Sequence, residues 1–140
     1  MRSLILFIAT FSSMFGIAQN KGDLILGRWI TDNGDSRIEF YQKEGKYYGK
    51  IIWLKEPLKP DGTAKTDIKN PNPAMRNRSI LGLVIVSELE FKNGQFVNGK
   101  IYSPKEGKTL DCAILSENNR ELKITISKSL FSTSRIWKRL

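Results

Sequence analysis

Histidine is absent from this chain of 140 residues, and cysteine occurs once, as Cys112. Without histidine there is no Ser-His or Cys-His nucleophile pair and no imidazole for a metal. One thiol among dispersed carboxylates does not assemble a zinc site, so neither a metal nor another cofactor is expected. A lone cysteine also excludes an intramolecular disulfide. Cys112 alternates with Leu110 and Ile114 and reads as a small buried hydrophobe. No glycine-rich phosphate loop, dinucleotide fingerprint, repeat or heptad run occurs. Acidic residues are scarce beside basic ones, 14 against 23, for a net charge of +9. A field of that sign attracts polyanions such as nucleic acid, anionic lipid headgroups and acidic glycans.

Long apolar runs are missing too, except at the start. Met1-Arg2-Ser3 supplies a positive charge, and Leu4 to Ala18 is apolar or small throughout. The run is shorter than the roughly 17 to 25 residues of a membrane-spanning helix. With Gly16 and Ala18 at the −3 and −1 positions before Gln19, it reads as a signal peptide covering residues 1–18. With no cysteine near that point, the lipoprotein route is closed. Residues 19–140 are then one domain, exported to the periplasm or secreted, with no membrane span.

What remains is a series of short alternating segments punctuated by turns. Leu24 to Thr31 reads as a first strand, followed by the turn Asp32-Asn33-Gly34-Asp35. In the next strand Ile38 and Phe40 share one face. In Lys46 to Leu54 the face is Tyr47, Gly49, Ile51 and Trp53. Strands resume at Leu81 to Leu89. Turns are expected at Asn93-Gly94 and Asn98-Gly99 before Lys100 to Ser103. Lys108 to Leu115, Glu121 to Ser127 and Ser134 to Arg139 complete the set. About eight strands joined by tight turns point to an all-β, antiparallel up-and-down barrel, in which closure removes the exposed edges.

Gly27-Arg28-Trp29 on the first strand, with Arg139 at the end of the last, resembles the lipocalin (calycin) superfamily. There a Gly-x-Trp meets an arginine at the closed end of the barrel, which implies that Gly27, Trp29 and Arg139 serve closure and not catalysis. A wider set of motifs is similar to the exported bacterial family known as domain of unknown function 2147. It comprises Gly45-Lys46-Tyr47-Tyr48-Gly49-Lys50-Ile51-Ile52-Trp53-Leu54-Lys55-Glu56-Pro57, Asp67-Ile68-Lys69-Asn70-Pro71-Asn72, Leu81-Gly82-Leu83, Gly99-Lys100-Ile101-Tyr102-Ser103-Pro104, Gly107-Lys108-Thr109 and Trp137-Lys138-Arg139. The resemblance implies a lipocalin-like barrel of Gram-negative origin with no established activity. Ser103 and Thr133 stand where that family usually carries aspartate and arginine.

Between Lys55 and Ser79 the texture changes, since four of the five prolines fall there. So long a polar connection on a rigid scaffold commonly carries function. Asn77-Arg78-Ser79, formally a glycosylation triplet, reads as plain loop. The candidate ligand-binding residues are Trp53, Lys55, Glu56, Asp67, Asn70, Arg76 and Arg78, with Tyr47 and Tyr102. Two closely spaced arginines can fork onto a carboxylate or phosphate. No catalytic residue is assigned, and the favoured function is binding of a small or anionic ligand derived from the cell envelope. The first alternative is an enzyme acting on an envelope glycan or lipid, with Glu56 and Asp67 as acid and base. The second is a nucleic-acid-binding barrel, disfavoured because the alternation turns most aromatics inward.

Export predicts that the product recovered from cells begins at or near Gln19. Intact-mass analysis checks this, and retention of Met1 to Ala18 would overturn it.

Overall fold

The computed structural model describes residues 21–140, so the segment expected to direct export lies outside the described residues. The chain forms β1 (Gly27–Ile30), β2 (Ser36–Lys43), β3 (Lys46–Leu54), β4 (Val84–Lys92), β5 (Gln95–Ser103), β6 (Lys108–Asn118), β7 (Glu121–Lys128) and β8 (Phe131–Arg139). Each strand pairs antiparallel with the next, and β8 returns to β1 to close the barrel. No helix among the described residues is long and apolar enough to cross a membrane.

Alternation builds the interior. Ile38 and Phe40 of β2, Tyr47 and Ile51 of β3, and Leu122 and Ile124 of β7 are all buried. Phe96 meets Tyr47 edge-on at 5.4 Å, and Phe40 meets Trp137 at 6.2 Å between ring centroids. Such pairs add to the stabilisation from apolar burial. Side chains therefore fill much of the lumen, as they do in barrels of this strand number.

The antiparallel path gives the barrel two ends. One carries the β2–β3, β4–β5 and β6–β7 turns, and a short 3-10 helix, Lys21–Ile25, lies across it. The segment expected as strand from Leu24 is thus helical as far as Ile25, and β1 starts only at Gly27. The helix, the residue after it and the β6–β7 turn provide the carbonyls of the plug. The Trp29 indole N–H donates to the Ile25 carbonyl at 2.9 Å. The Arg139 guanidinium lies 4.1 Å over the Trp29 ring. Its Nη1 donates to the Leu26 carbonyl at 3.0 Å, and its other nitrogens reach the carbonyls of Leu24 and Asn119. Gly27, at φ +116°, lies so close that a Cβ there would be 3.0 Å from Arg139 Nη1. Both its backbone conformation and its neighbour require glycine.

Two further details depart from the sequence reading. Asn98-Gly99 is not a turn; Asn98 has φ +60° inside β5, and the β5–β6 register shifts between Phe96 and Gly99, which marks a bulge. The barrel closes as expected, but through a short ladder. β1 has only four residues, and its pairing with β8 is confined to Trp29 with Arg139 and Ile30 with Lys138. From Phe131 to Trp137, β8 pairs with β7 alone.

Truncating Trp29 removes the surface on which the plug rests. Trp29→Ala is expected to cost about 3–5 kcal/mol, whereas exchanging the exposed Lys128 should cost under about 0.5 kcal/mol. Urea denaturation midpoints compare the two directly.

Candidate functional site

The opposite, loop end bears the β1–β2, β5–β6 and β7–β8 turns and the long connection between β3 and β4. That connection is not structureless. Isolated bridges join Leu58 to Ala64 and Thr66 to Ser79. Asn72 caps a single 3-10 turn, Pro73–Met75, by accepting from the Ala74 N–H. The fold of the segment rests against the β5–β6 turn at Gly107, where a Cβ would stand 2.0 Å from the Lys69 carbonyl oxygen. Any larger residue at that position would push the loop off the barrel.

Asp67 is the centre of the segment and is fully buried. Its carboxylate accepts from the Tyr102 hydroxyl at 2.5 Å, from Asn70 Nδ2 at 2.8 Å and from Arg78 Nε at 2.9 Å. Burial alone would raise its pKa, but these three donors and the Arg78 charge outweigh desolvation and hold it below the usual aspartate value. The Tyr102 hydroxyl is pushed upward by its own burial and by the neighbouring carboxylate. Asn70 completes the set. Its Oδ1 accepts from the Asn72 N–H, and its backbone carbonyl accepts from Arg76 Nε, both at 2.8 Å.

Both arginines are therefore held through Nε, and neither has its terminal nitrogens engaged by the described residues. Arg78 also lies over the Tyr102 ring, 5.6 Å from its centroid. It lines an open cleft of about 270 Å³ between the loop and the outer barrel wall. Asn70, Met75, Val84, Lys100 and Tyr102 line it too. The position on the outer wall follows from register. Buried Val86 stands opposite Ile101, so Lys100 and Tyr102 flank an inward residue and take the other face. Lys100 pairs with Asp111 of β6.

The structure thus brings Asp67, Asn70, Arg78 and Tyr102 together, with Arg76 tethered to Asn70 but exposed and not lining the cleft. Four other candidates lie elsewhere. Tyr47 sits near the plugged end, donating to Asp23 at 3.1 Å. Trp53 is not on the Tyr47–Ile51 face. Ile38 opposes Ile51 while Arg37 opposes Trp53, so Ile52 is an extra residue that turns Trp53 outward. There the Arg37 guanidinium stacks over it at 4.5 Å, and Leu54 packs against the core in its place. Lys55 is exposed and holds the Asp35 carbonyl by its backbone N–H. Glu56 is 81% exposed and faces Lys65 at 3.8 Å, so it forms no acid–base pair with buried Asp67. Sequence reasoning missed Met75, Val84 and Lys100. Only their position beside the draped loop singles them out.

Comparison with known proteins gives two matches. The family model described as "Uncharacterized protein conserved in bacteria (DUF2147)" matches residues 27–139. Protein HP1028 from the human pathogen Helicobacter pylori, described as belonging to the lipocalin family, is 31% identical. The match covers 83% of this chain and 82% of that one, with a TM-score of 0.71. No curated protein matches the sequence.

The depressed Asp67 pKa makes its stabilising contribution fully present above its unfolded value of about 3.9 and lost as pH falls through the lower folded value. Asp67→Asn should be about 1.5–3 kcal/mol less stable than wild type at pH 7. The difference should shrink below about pH 4. Denaturation midpoints measured between pH 7 and pH 2 check both statements.

Proposed function

Because this chain belongs to DUF2147, the bacterial family whose model spans residues 27–139, and has a lipocalin-like fold, we propose that it binds a small anionic ligand. The ligand is envelope-derived, and it is met after export to the periplasm or beyond. The site is the cleft between the Asp67 loop and the outer wall of β4 to β6. The observation that carries this reading is the tethering of Arg78. Its Nε is committed to a buried carboxylate, which leaves the terminal fork aimed by a rigid neighbour. Pre-organisation of this kind reduces the entropy lost on binding a carboxylate or phosphate.

Lys100, paired with Asp111, gives the same cleft an ammonium on its wall, while Met75 and Val84 add apolar surface. Those side chains favour a ligand with an anionic head and a short apolar part. Acid–base catalysis finds no support in this geometry, since Asp67 is saturated with donors and Glu56 is in solvent. The basic surface and the leading segment of residues 1–18 support a role among the polyanions of the envelope.

Removing Arg78 outright would strand a buried carboxylate, so the test keeps a cation there. Arg78→Lys preserves charge near Asp67 but loses the fork. Chemical-shift titration with inorganic phosphate should give an affinity lowered about tenfold or more by this exchange. The melting temperature should change little. Equal affinities for wild type and variant would remove Arg78 from the site.

A further inference from the structure

The loop end has a second property, which shares Met75 with the cleft. The three most exposed large hydrophobic side chains among the described residues are Leu130 at 97%, Phe131 at 82% and Ile68 at 63%, and all lie in or next to connections at this end. Met75, on the same connection as Ile68, is 44% exposed. Each has a base beside it in sequence. Lys69 follows Ile68, Arg76 follows Met75, and Lys128 precedes Leu130 by two positions. None of these three bases has an ion-pair partner among the described residues, although Arg76 Nε is held by the Asn70 carbonyl.

Leu130 and Phe131 form the tip of the β7–β8 hairpin, and the hairpin has no ladder neighbour on one side. From Phe131 to Trp137 the backbone of β8 pairs with β7 alone, because β1 ends at Ile30, and only side chains such as Arg135, on Asp32, reach across. The tip therefore projects, with bulky apolar side chains outermost and a cation behind them. Monomeric proteins seldom leave a leucine and a phenylalanine so fully in water at adjacent positions without a partner to receive them. The excess of bases, +9 over the whole chain, opposes a second copy of the same surface and favours an anionic one.

We propose that the loop end docks on an anionic lipid bilayer, with Leu130 and Phe131 entering the headgroup–acyl boundary and Ile68 and Met75 resting beside them. Lys69, Arg76 and Lys128 pair with lipid phosphates, so that apolar insertion and charge act together.

The test uses protein recovered from cells expressing the full chain, with intact mass showing the same N-terminus in every preparation. Wild type should sediment with phosphatidylglycerol vesicles and much less with phosphatidylcholine vesicles. The double variant Leu130→Ser/Phe131→Ser should lose at least about tenfold in partitioning, with an unchanged melting temperature. A second variant, Lys69→Gln/Lys128→Gln, should weaken binding at low salt and differ little from wild type at high salt. Equal partitioning of wild type and Leu130→Ser/Phe131→Ser would overturn the proposal. So would wild-type binding to heparin or single-stranded DNA but not to vesicles. Sedimentation velocity showing a wild-type dimer that the hairpin variant abolishes would also overturn it, by assigning the tip to a second copy.

Discussion

The contact between the Arg139 guanidinium and the Trp29 ring is the constraint on which the barrel depends. It joins the last strand to the first, and the same guanidinium reaches the carbonyls of Leu24, in the 3-10 helix that crosses the end, and of Leu26 just after it. An arginine suits this position because its planar group can stack on an indole and still direct donors outward in the ring plane. Glycine at position 27 is part of the same arrangement, since the guanidinium occupies the space beside it. Only two residue pairs connect β1 and β8, so this cluster carries most of the burden of closure.

At the other end a buried charge performs the equivalent task. Asp67 would be costly in an apolar environment, and it is tolerated because three donors, one of them charged, meet its carboxylate. Tyr102 comes from β5, Arg78 from the far limb of the loop and Asn70 from the turn between them. One carboxylate therefore fixes the loop to the wall and orients Arg78, the only arginine among the described residues that lines the cleft. Architecture and proposed chemistry share the same group, which explains why so many polar residues gather in a segment without regular strands.

The alternation that identified the strands was legible because inward and outward environments differ so sharply in a filled barrel. Ile38 and Phe40, or Leu122 and Ile124, could face only one way. The Gly27, Trp29 and Arg139 plug was legible through resemblance. Less visible were features decided by register. A single extra residue at Ile52 reversed Trp53, and nothing in the local sequence distinguishes a bulged isoleucine from a paired one. Asn98-Gly99 has the chemistry of a tight turn, yet the strand continues through it, because β6 offers partners on both sides of the bulge. Tyr47 and Tyr102 look equivalent in sequence, but β3 and β5 run the same way, and Tyr47 stands at the start of one while Tyr102 stands near the end of the other, which sends them to opposite ends of the molecule. Asp67, Asn70 and Arg78 could be grouped in advance because they fall in one loop.

The shortness of β1 has a consequence for how the molecule assembles. Seven of the eight strand junctions join neighbours along the chain, six of them through short turns and one through the long β3–β4 connection, whereas the eighth brings Trp29 to Arg139 across almost the whole domain. Loop-closure entropy rises with the length enclosed, so this junction is the most expensive to nucleate and is expected to form last. Once formed it is short, and above it the Arg135–Asp32 ion pair at 3.0 Å is the polar link between the β7–β8 hairpin and the β1–β2 turn. The barrel thus has a seam. Thermal opening begins where a wall is fastened at fewest points, and here the seam lets one side of the cylinder breathe while the plug stays in place.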